Sequence, residues 1–387
     1  MHIDVNNAYL SWTAIDLLNK GSKYDIRNSY AVIGGDEKAR RGIVLAKSMP
    51  AKKMGVVTAE TLYSAKKKCP ALRIYPPNFE FYHIMSNKMF EILYSYTPDI
   101  EIASIDECYL DYGKIKKING NEVEFAYKIQ KEIYEKLGFT VNVGIANNKL
   151  CAKMASDFSK PFKVHTLYEY EVKEKMYPLP IGDLFGVGKK TAIALKEMGI
   201  FKIGDLANAN YDDLKTTFKN QTQNLIDAAK GIDNSEVISY KVDPKCISTS
   251  ETLPIDALNL LEVKDLLKEQ AEKIGLELRK EKKYAYVITA FLKNKDFQSV
   301  SKQIKILNPT NISKEIYNIA LKLMEQIWDK NGVRLIGIRI SNLVSNYYYQ
   351  ASMFDNNIEY EESKEKLEET IDYLKEKYGT NKINENM

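Results

Sequence analysis

Ala103-Ser104-Ile105-Asp106-Glu107-Cys108-Tyr109-Leu110-Asp111 places two adjacent carboxylates inside an apolar, β-favouring run. Successive side chains on a strand point to opposite faces, so Asp106 and Glu107 diverge if the strand is regular. They serve one site only at a strand end or a tight hairpin, where both faces reach a common cation. Paired acids beside a buried strand are costly unless positive charge meets them, and a hard divalent ion such as Mg2+ suits oxygen ligands. A hairpin turn with solvated acids is the alternative.

Three hundred and eighty-seven residues exceed one ordinary core and point to two to four domains. The apolar and charged fractions, 44% and 28%, are those of a soluble globular chain. Tyrosine, at 26 against 2 tryptophans, gives many rings a polar handle for partly wet surfaces. A net charge of +4 is too small to argue for nucleic acid from the total alone. Cys69, Cys108, Cys151 and Cys246 are scattered without a CxxC pair, which argues against zinc and for reduced thiols. No basic-then-apolar leader and no run of transmembrane length is present, so the expected location is the cytoplasm, away from membranes.

Met1 to Leu10 reads as a short strand running into a helix, with Asp4 near the strand's end. Ser29 to Gly35 and Gly42 to Ala46 read as a strand and its return. Short helices follow at Pro50 to Lys53 and at 62–68. A longer one runs from Tyr82 to Tyr96. Beyond the acidic strand come a helix over Asn121 to Gly138, a strand over Thr140 to Ala146 and a helix over Lys149 to Ser159. This mix predicts an α+β sheet covered on one side. Residues 166–235 read as short helices without strands. From Cys246 the pattern is β-α-β-β-α-β: strand 246–252, helix 258–281, strands 284–293 and 299–307, helix 314–330, strand 333–344. That segment carries a basic excess, whereas the tail after Tyr349 is acidic, with a helix from Glu359 to Tyr378.

Asp4 with Asp106 and Glu107 makes three carboxylates on two strands able to lie side by side. Two-metal phosphoryl chemistry uses such acids to hold cations roughly 4 Å apart. Asp4 also reads as a helix N-cap. Gly186-Val187-Gly188 between two helices looks like a helix-hairpin-helix, whose glycines let backbone N–H groups approach a phosphate. Lys189 and Lys190 follow directly; a plain inter-helix turn is the alternative. Gln350-Ala351-Ser352-Met353-Phe354 offers apolar anchors in an acidic, otherwise solvated tail, suited to a partner's groove or to packing on its own domain. The lysines at 52–53 and 66–68, and Lys160, face phosphate or simply solvent.

His2 to Tyr9, Ser104 to Asp111 and Val143-Gly144-Ile145-Ala146-Asn147-Asn148-Lys149-Leu150-Cys151-Ala152-Lys153-Met154-Ala155-Ser156-Asp157, in this order, resemble the Y-family DNA polymerases of the DNA polymerase IV branch. The resemblance runs over residues 1 to about 355. It implies a right-hand polymerase: palm at 1–10 and 75–165, fingers at 11–74 and a helix-hairpin-helix thumb at 166–235. A tether at 236–245, a little finger at 246–345 and a C-terminal tail at 346–387 complete it. Asp4, Asp106 and Glu107, with the Val5 carbonyl, would then carry two Mg2+ ions, Asp106 and Glu107 being catalytic. Tyr9 matches a steric gate that excludes ribonucleotides, and Lys160 a lysine that holds the incoming triphosphate. Ile43 and Leu45 would roof the nascent base pair. Gly186, Gly188, Lys189 and Lys190 would bind DNA, and Gln350, Ser352, Met353 and Phe354 resemble a bacterial sliding-clamp-binding peptide.

Some positions depart from the family's pattern. Where it presents Tyr and Arg to the triphosphate, this chain has Met49 and Lys52. Lysine keeps the charge and loses the bidentate fork, and methionine donates no hydrogen bond. The missing grip is expected from Lys47 or Ser48. Asn6 stands where many members have an aspartate and is not counted as a ligand. Only three residues precede Asp4, so Met1 reads as a late start. The implied activity is low-fidelity, template-directed addition of dNTPs to a primer, without proofreading, by a monomer acting on primer-template DNA with a sliding clamp. The rivals are a palm-fold nucleotide cyclase, which needs no duplex grip, and a weak or inactive relative that only binds DNA and the clamp.

Overall fold

The computed structural model describes residues 1–40, 42–330, 332–346 and 358–378. The chain divides into two compact units, Met1–Gly35 with Gly42–Lys241, and Asp36–Arg41 with Val242–Met387. In the first unit, β1 (His2–Val5) leads into α1 (Ala8–Asn19) through Asn7, whose φ of 53° lies in the left-handed region. Asn7, not Asp4, holds the N-cap position, which frees the Asp4 carboxylate and removes the capping alternative. A small sheet follows. β2 (Ala31–Gly34) pairs antiparallel with β3 (Val44–Lys47) and parallel with β4 (Arg73–Tyr75), with α2 (Met49–Lys53) and α3 (Leu62–Lys68) between β3 and β4.

The main sheet is built next. Helix α4 (Phe79–Tyr94) precedes β5 (Ile100–Ile102) and β6 (Glu107–Leu110); α5 (Lys116–Asn119) and α6 (Glu122–Leu137) precede β7 (Val141–Ile145). Then come α7 (Lys149–Asp157) and β8 (Val164–Thr166), and the strand order is β5-β6-β1-β7-β8. Its alternation is clean. Ile3, Val5, Cys108, Leu110, Val141, Val143 and Ile145 join one core with Met85, Met89 and Leu93 of α4 and Phe125, Ile129 and Ile133 of α6.

His2, Asp4, Glu107, Asn142 and Gly144 alternate with those core residues and so point to the opposite face. That face is not open, contrary to the one-sided sheet expected from the sequence, because α7 packs on it. The contact is close: a Cβ on Gly144 would stand 1.9 Å from the Ala152 carbonyl oxygen, so only glycine lets this helix approach. Three-residue β8, a strand the sequence did not signal, ends where the 166–235 segment begins and pairs parallel with β7. The remainder is helical, with α8 (Lys189–Glu197), α9 (Ile203–Ala207), α10 (Tyr211–Phe218) and α11 (Thr222–Ala229) around Leu195, Ile203, Leu206, Leu214 and Ile226.

The second unit has the expected β-α-β-β-α-β order: β9 (Cys246–Ala257), α12 (Lys264–Lys280), β10 (Tyr284–Asn294), β11 (Ser299–Thr310), α13 (Ser313–Ile327) and β12 (Val333–Val344). The antiparallel sheet runs β11-β10-β12-β9. Ile274, Leu278, Ile316 and Leu323 of the helices pack on Ile288, Leu292, Ile336 and Ile338. Strand β9 outlasts its expected end, and a 3-10 turn at Leu260–Val263 delays α12 to Lys264.

Helix α14 (Ile358–Tyr378) corrects the solvated tail. Arg279, 5% exposed, is held by Asp372 at 2.6 Å and Glu368 at 3.0 Å, and Glu365 accepts from Tyr284 and Asn311. The clamp residues Gln350, Ser352, Met353 and Phe354 lie outside the described residues. Among the described residues no helix is long and apolar enough to cross a membrane.

Candidate active site

Strands β1 and β6 run side by side with Asp4 directly opposite Glu107. Both carboxylates lie on the α7 face, and like charges directly opposite are destabilising unless a cation intervenes. Asp106 sits one residue earlier, in the tight turn joining β5 and β6, where the Ala103 and Ser104 N–H groups donate to the Glu107 carbonyl. The Val5 N–H donates to the Asp106 carbonyl at 2.9 Å, tying the turn to the end of β1. The turn thus brings Asp106 to the same end of the sheet as Asp4 and Glu107. Ser104 donates to Asp106 Oδ1 at 2.6 Å and fixes that carboxylate.

Sequence reasoning named Lys160 and missed Lys153. Lys153 Nζ lies 2.7 Å from Glu107 and 3.2 Å from Asp4, and Lys160 Nζ lies 2.7 Å from Asp4 and 2.9 Å from Asp157. Lys153, Asp157 and Lys160, at spacings of four and three, place alternating charge on one side of α7 and its end, a signal legible in the sequence. His2 was missed too. Its Nδ1 shares a 2.9 Å hydrogen bond with Ser156, and its Nε2 stands 3.4 Å from Glu107 without a well-directed bond.

Charge at the site is unevenly compensated. Glu107 is pulled down to about 2, by His2 beside it and by Lys153. The well-directed 2.7 Å contact from Lys153 is the stronger geometric cause. Burial alone would lower Lys153, but the Glu107 hydrogen bond and the surrounding carboxylates raise it instead. Asp106 is raised, first by burial and then by the charges of Asp4 and Glu107. Among the described residues no cationic side chain pairs with it.

His2, Asp4 and Glu107 offer ligand atoms within 4.8 Å of one another; among the described residues this is the convergent group, and Asp106 is not part of it. The three predicted acids therefore share one end of the sheet without closing on a single point. An oxygen-rich cluster with an uncompensated carboxylate fits a hard divalent cation.

Tyr9 lies on the first turn of α1, its ring stacked on Tyr82 at 4.8 Å and edge-on to Phe79 at 5.8 Å. Burial, then the charge of Asp106, raises its phenol. Asn7 donates to the Lys47 carbonyl at 2.6 Å and links the start of α1 to β3. Ile43, Met49 and Lys52 are exposed. Ser48 is fully buried, caps α2 and donates to the Ser29 carbonyl, so the expectation that it grips phosphate is corrected. Lys47 donates to the Thr58 hydroxyl at 2.8 Å and is lowered by burial and then by the charge of Lys52. On α3, Lys67 lies over the Tyr63 ring and Lys68 pairs with Glu60.

Gly186, at φ +89°, and Gly188 precede α8, with open space where each Cβ would stand. Gly188 caps α8 without a side chain, and Lys189 and Lys190 are exposed at its first turn. This N-terminus is shaped for a phosphate.

Three family models match the chain: the impB/mucB/samB family over residues 3–157, the HHH motif of the IMS family over 171–200, and the impB/mucB/samB C-terminal domain over 244–353. DNA polymerase IV of Clostridium acetobutylicum is 44% identical over 383 residues, 99% of this chain and 96% of that protein. DNA polymerase IV 1 of Bacillus subtilis is 33% identical over 388 residues, 99% of this chain and 91% of that one. Among solved structures, a Y-family DNA polymerase chimera, Dbh-Dpo4(243-245)-Dbh, matches with a TM-score of 0.77 at 27% identity, covering 89% of this chain and 99% of the other. DinB from Sulfolobus solfataricus matches with a TM-score of 0.59 at the same identity and coverage.

Proposed function

The chain belongs to the Y-family DNA polymerases, the impB/mucB/samB family, and from that premise we propose which of its residues perform translesion synthesis. It is a DNA-directed DNA polymerase. Asp4, Asp106 and Glu107, with the Val5 carbonyl, would hold two Mg2+ ions, which when bound would supply activation of the primer 3′-oxygen and neutralisation of charge on the triphosphate. The observation that carries this reading is the pairing of Asp4 with Glu107, beside an Asp106 whose charge is uncompensated.

The chain's own residues do the rest. Lys160 moves from Asp4 to the incoming triphosphate once cations occupy the acids. Lys47 and Lys52 supply further positive charge from the fingers, in place of a tyrosine and arginine. Tyr9, braced by Tyr82 and Phe79, forms a rigid floor under the sugar and rejects a 2′-hydroxyl; Ile43 roofs the base pair. The α8 N-terminus with Gly186, Gly188, Lys189 and Lys190 grips the duplex by phosphates, which position DNA without reading its sequence.

The expected segments supply these parts: a palm and fingers within residues 1–165, a thumb at 166–235 and a little finger at 246–345. We further propose that the monomer works in the cytoplasm and docks a sliding clamp through Gln350 to Phe354; Phe354→Ala then weakens clamp affinity while leaving primer-template affinity intact. The reading is tested by primer extension with Mg2+ and each dNTP singly. Addition of the complementary nucleotide is expected. Tight DNA binding with no addition to any template would favour the inactive-relative alternative.

A further inference from the structure

Lys160 sits in the turn between α7 and β8, residues 158–163, and its usefulness depends on where that turn is held. Two buried amides hold it. Asn142, fully buried on β7 directly beside Asp4, donates from Nδ2 to the Ser156 carbonyl at 2.9 Å and the Ser159 carbonyl at 2.7 Å. Its Oδ1 accepts from the Lys163 N–H at 3.1 Å. Asn6, 6% exposed just past the end of β1, accepts the Phe162 N–H at 2.8 Å and donates from Nδ2 to Asn142 Oδ1 at 3.1 Å.

The pair therefore grips the turn on both sides of Lys160, at Ser159 before it and at Phe162 and Lys163 after it. It anchors the turn to the same two strands that carry Asp4 and its neighbour in register. Each position needs an amide. Both side chains donate with nitrogen and accept with oxygen, a combination no carboxylate reproduces when ionised. An aspartate at position 6 would set an oxygen against Asn142 Oδ1 where a 3.1 Å hydrogen bond now stands.

We propose that Asn6 and Asn142 are positioning residues for nucleotide binding: they form a two-amide bridge that holds Lys160 at the distance from Asp4 at which it receives the triphosphate of the incoming nucleotide. The proposal rests on the reading of Lys160 given above. It also gives Asn6, not counted among the metal ligands, a role of its own: its carbonyl oxygen accepts the Phe162 N–H.

The test uses the full chain and single-nucleotide addition on a primer-template, with Asn6→Ala, Asn6→Asp, Lys160→Ala and the double variant Asn6→Ala with Lys160→Ala. Asn6→Ala is expected to raise the apparent KM for the complementary dNTP about tenfold, as misplacement of a binding group does, with primer-template Kd unchanged within about twofold. Added to Lys160→Ala, it is expected to raise KM no further, because the bridge acts through that amine. Asn6→Asp should raise KM as well, although it keeps the acceptor for Phe162, and it decides the question if the alanine variant fails to fold. A KM unmoved by Asn6→Ala or Asn6→Asp overturns the proposal. An equal rise in the Lys160→Ala background also overturns it, because the bridge would then act on something else. If Lys160→Ala alone leaves KM unchanged, the reading of Lys160 itself is wrong and the positioning role falls with it.

Discussion

Tyr9 is the proposed gate against ribonucleotides, and its packing supplies the rigidity such a ring needs. Stacked on Tyr82 and edge-on to Phe79, it has little freedom to yield to a 2′-hydroxyl. Tyr9→Ala is therefore expected to raise ribonucleotide incorporation by two orders of magnitude or more relative to deoxynucleotide, on the scale of removing a steric rejection of about 3 kcal/mol; competition assays with matched rNTP and dNTP measure it. Glu107 gives a second prediction, in acid. Its folded-state value of about 2 lies below the ordinary 4.5. The stabilisation it contributes is thus fully present above pH 4.5 and disappears as pH falls towards 2. The melting temperature of the metal-free protein should exceed that of Glu107→Gln at pH 6, with the gap closing towards pH 3. This comparison separates Glu107 from Asp106, whose raised carboxyl acts in the opposite sense. A gap constant across that range would remove the Lys153 contact from the account.

Helix α7 is the element on which the site depends, because it brings Lys153 over the paired acids. Its approach hinges on Gly144. Gly144→Ala forces a methyl group against the Ala152 carbonyl and should destabilise the protein by about 3 kcal/mol, the upper end of overpacking; denaturant unfolding measures it, and a loss below about 0.5 kcal/mol would mean that α7 shifts freely.

Elements show what was legible in the chain and what was not. The strands and helices of the second unit were readable because long amphipathic runs such as Tyr284–Asn294 and Ser313–Ile327 declare their period. The hairpin at Asp106 was readable because adjacent acids in an apolar run admit few other geometries. Three-residue strands such as Arg73–Tyr75 and Val164–Thr166 were not, since so short a stretch carries no period and owes its conformation to a parallel neighbour. Lys153 and His2 escaped for a related reason. Their role exists only once α7 crosses the sheet, a contact set by one glycine distant from the acids in sequence.

At the scale of the whole molecule, charge is sorted where the total of +4 conceals it. Acidic α14 does not trail in solvent; it meets Arg279, a guanidinium too buried to stand alone. The basic excess of residues 246–345 and the α8 N-terminus give the chain phosphate-seeking surfaces suited to duplex DNA. Asp4, Asp106 and Glu107 are the proposed metal-binding centre of template-directed nucleotide addition. The most direct measurement is the single-turnover rate of one complementary dNTP addition across a Mg2+ titration, for the native chain and for Asp106→Asn, with primer-template affinity determined alongside. The account predicts a loss of at least about 10³-fold in rate at saturating Mg2+, with primer-template Kd within about twofold, as expected when charge stabilisation specific to the transition state is removed. A rate within about tenfold of the native chain would contradict it and move the metal centre away from Asp106.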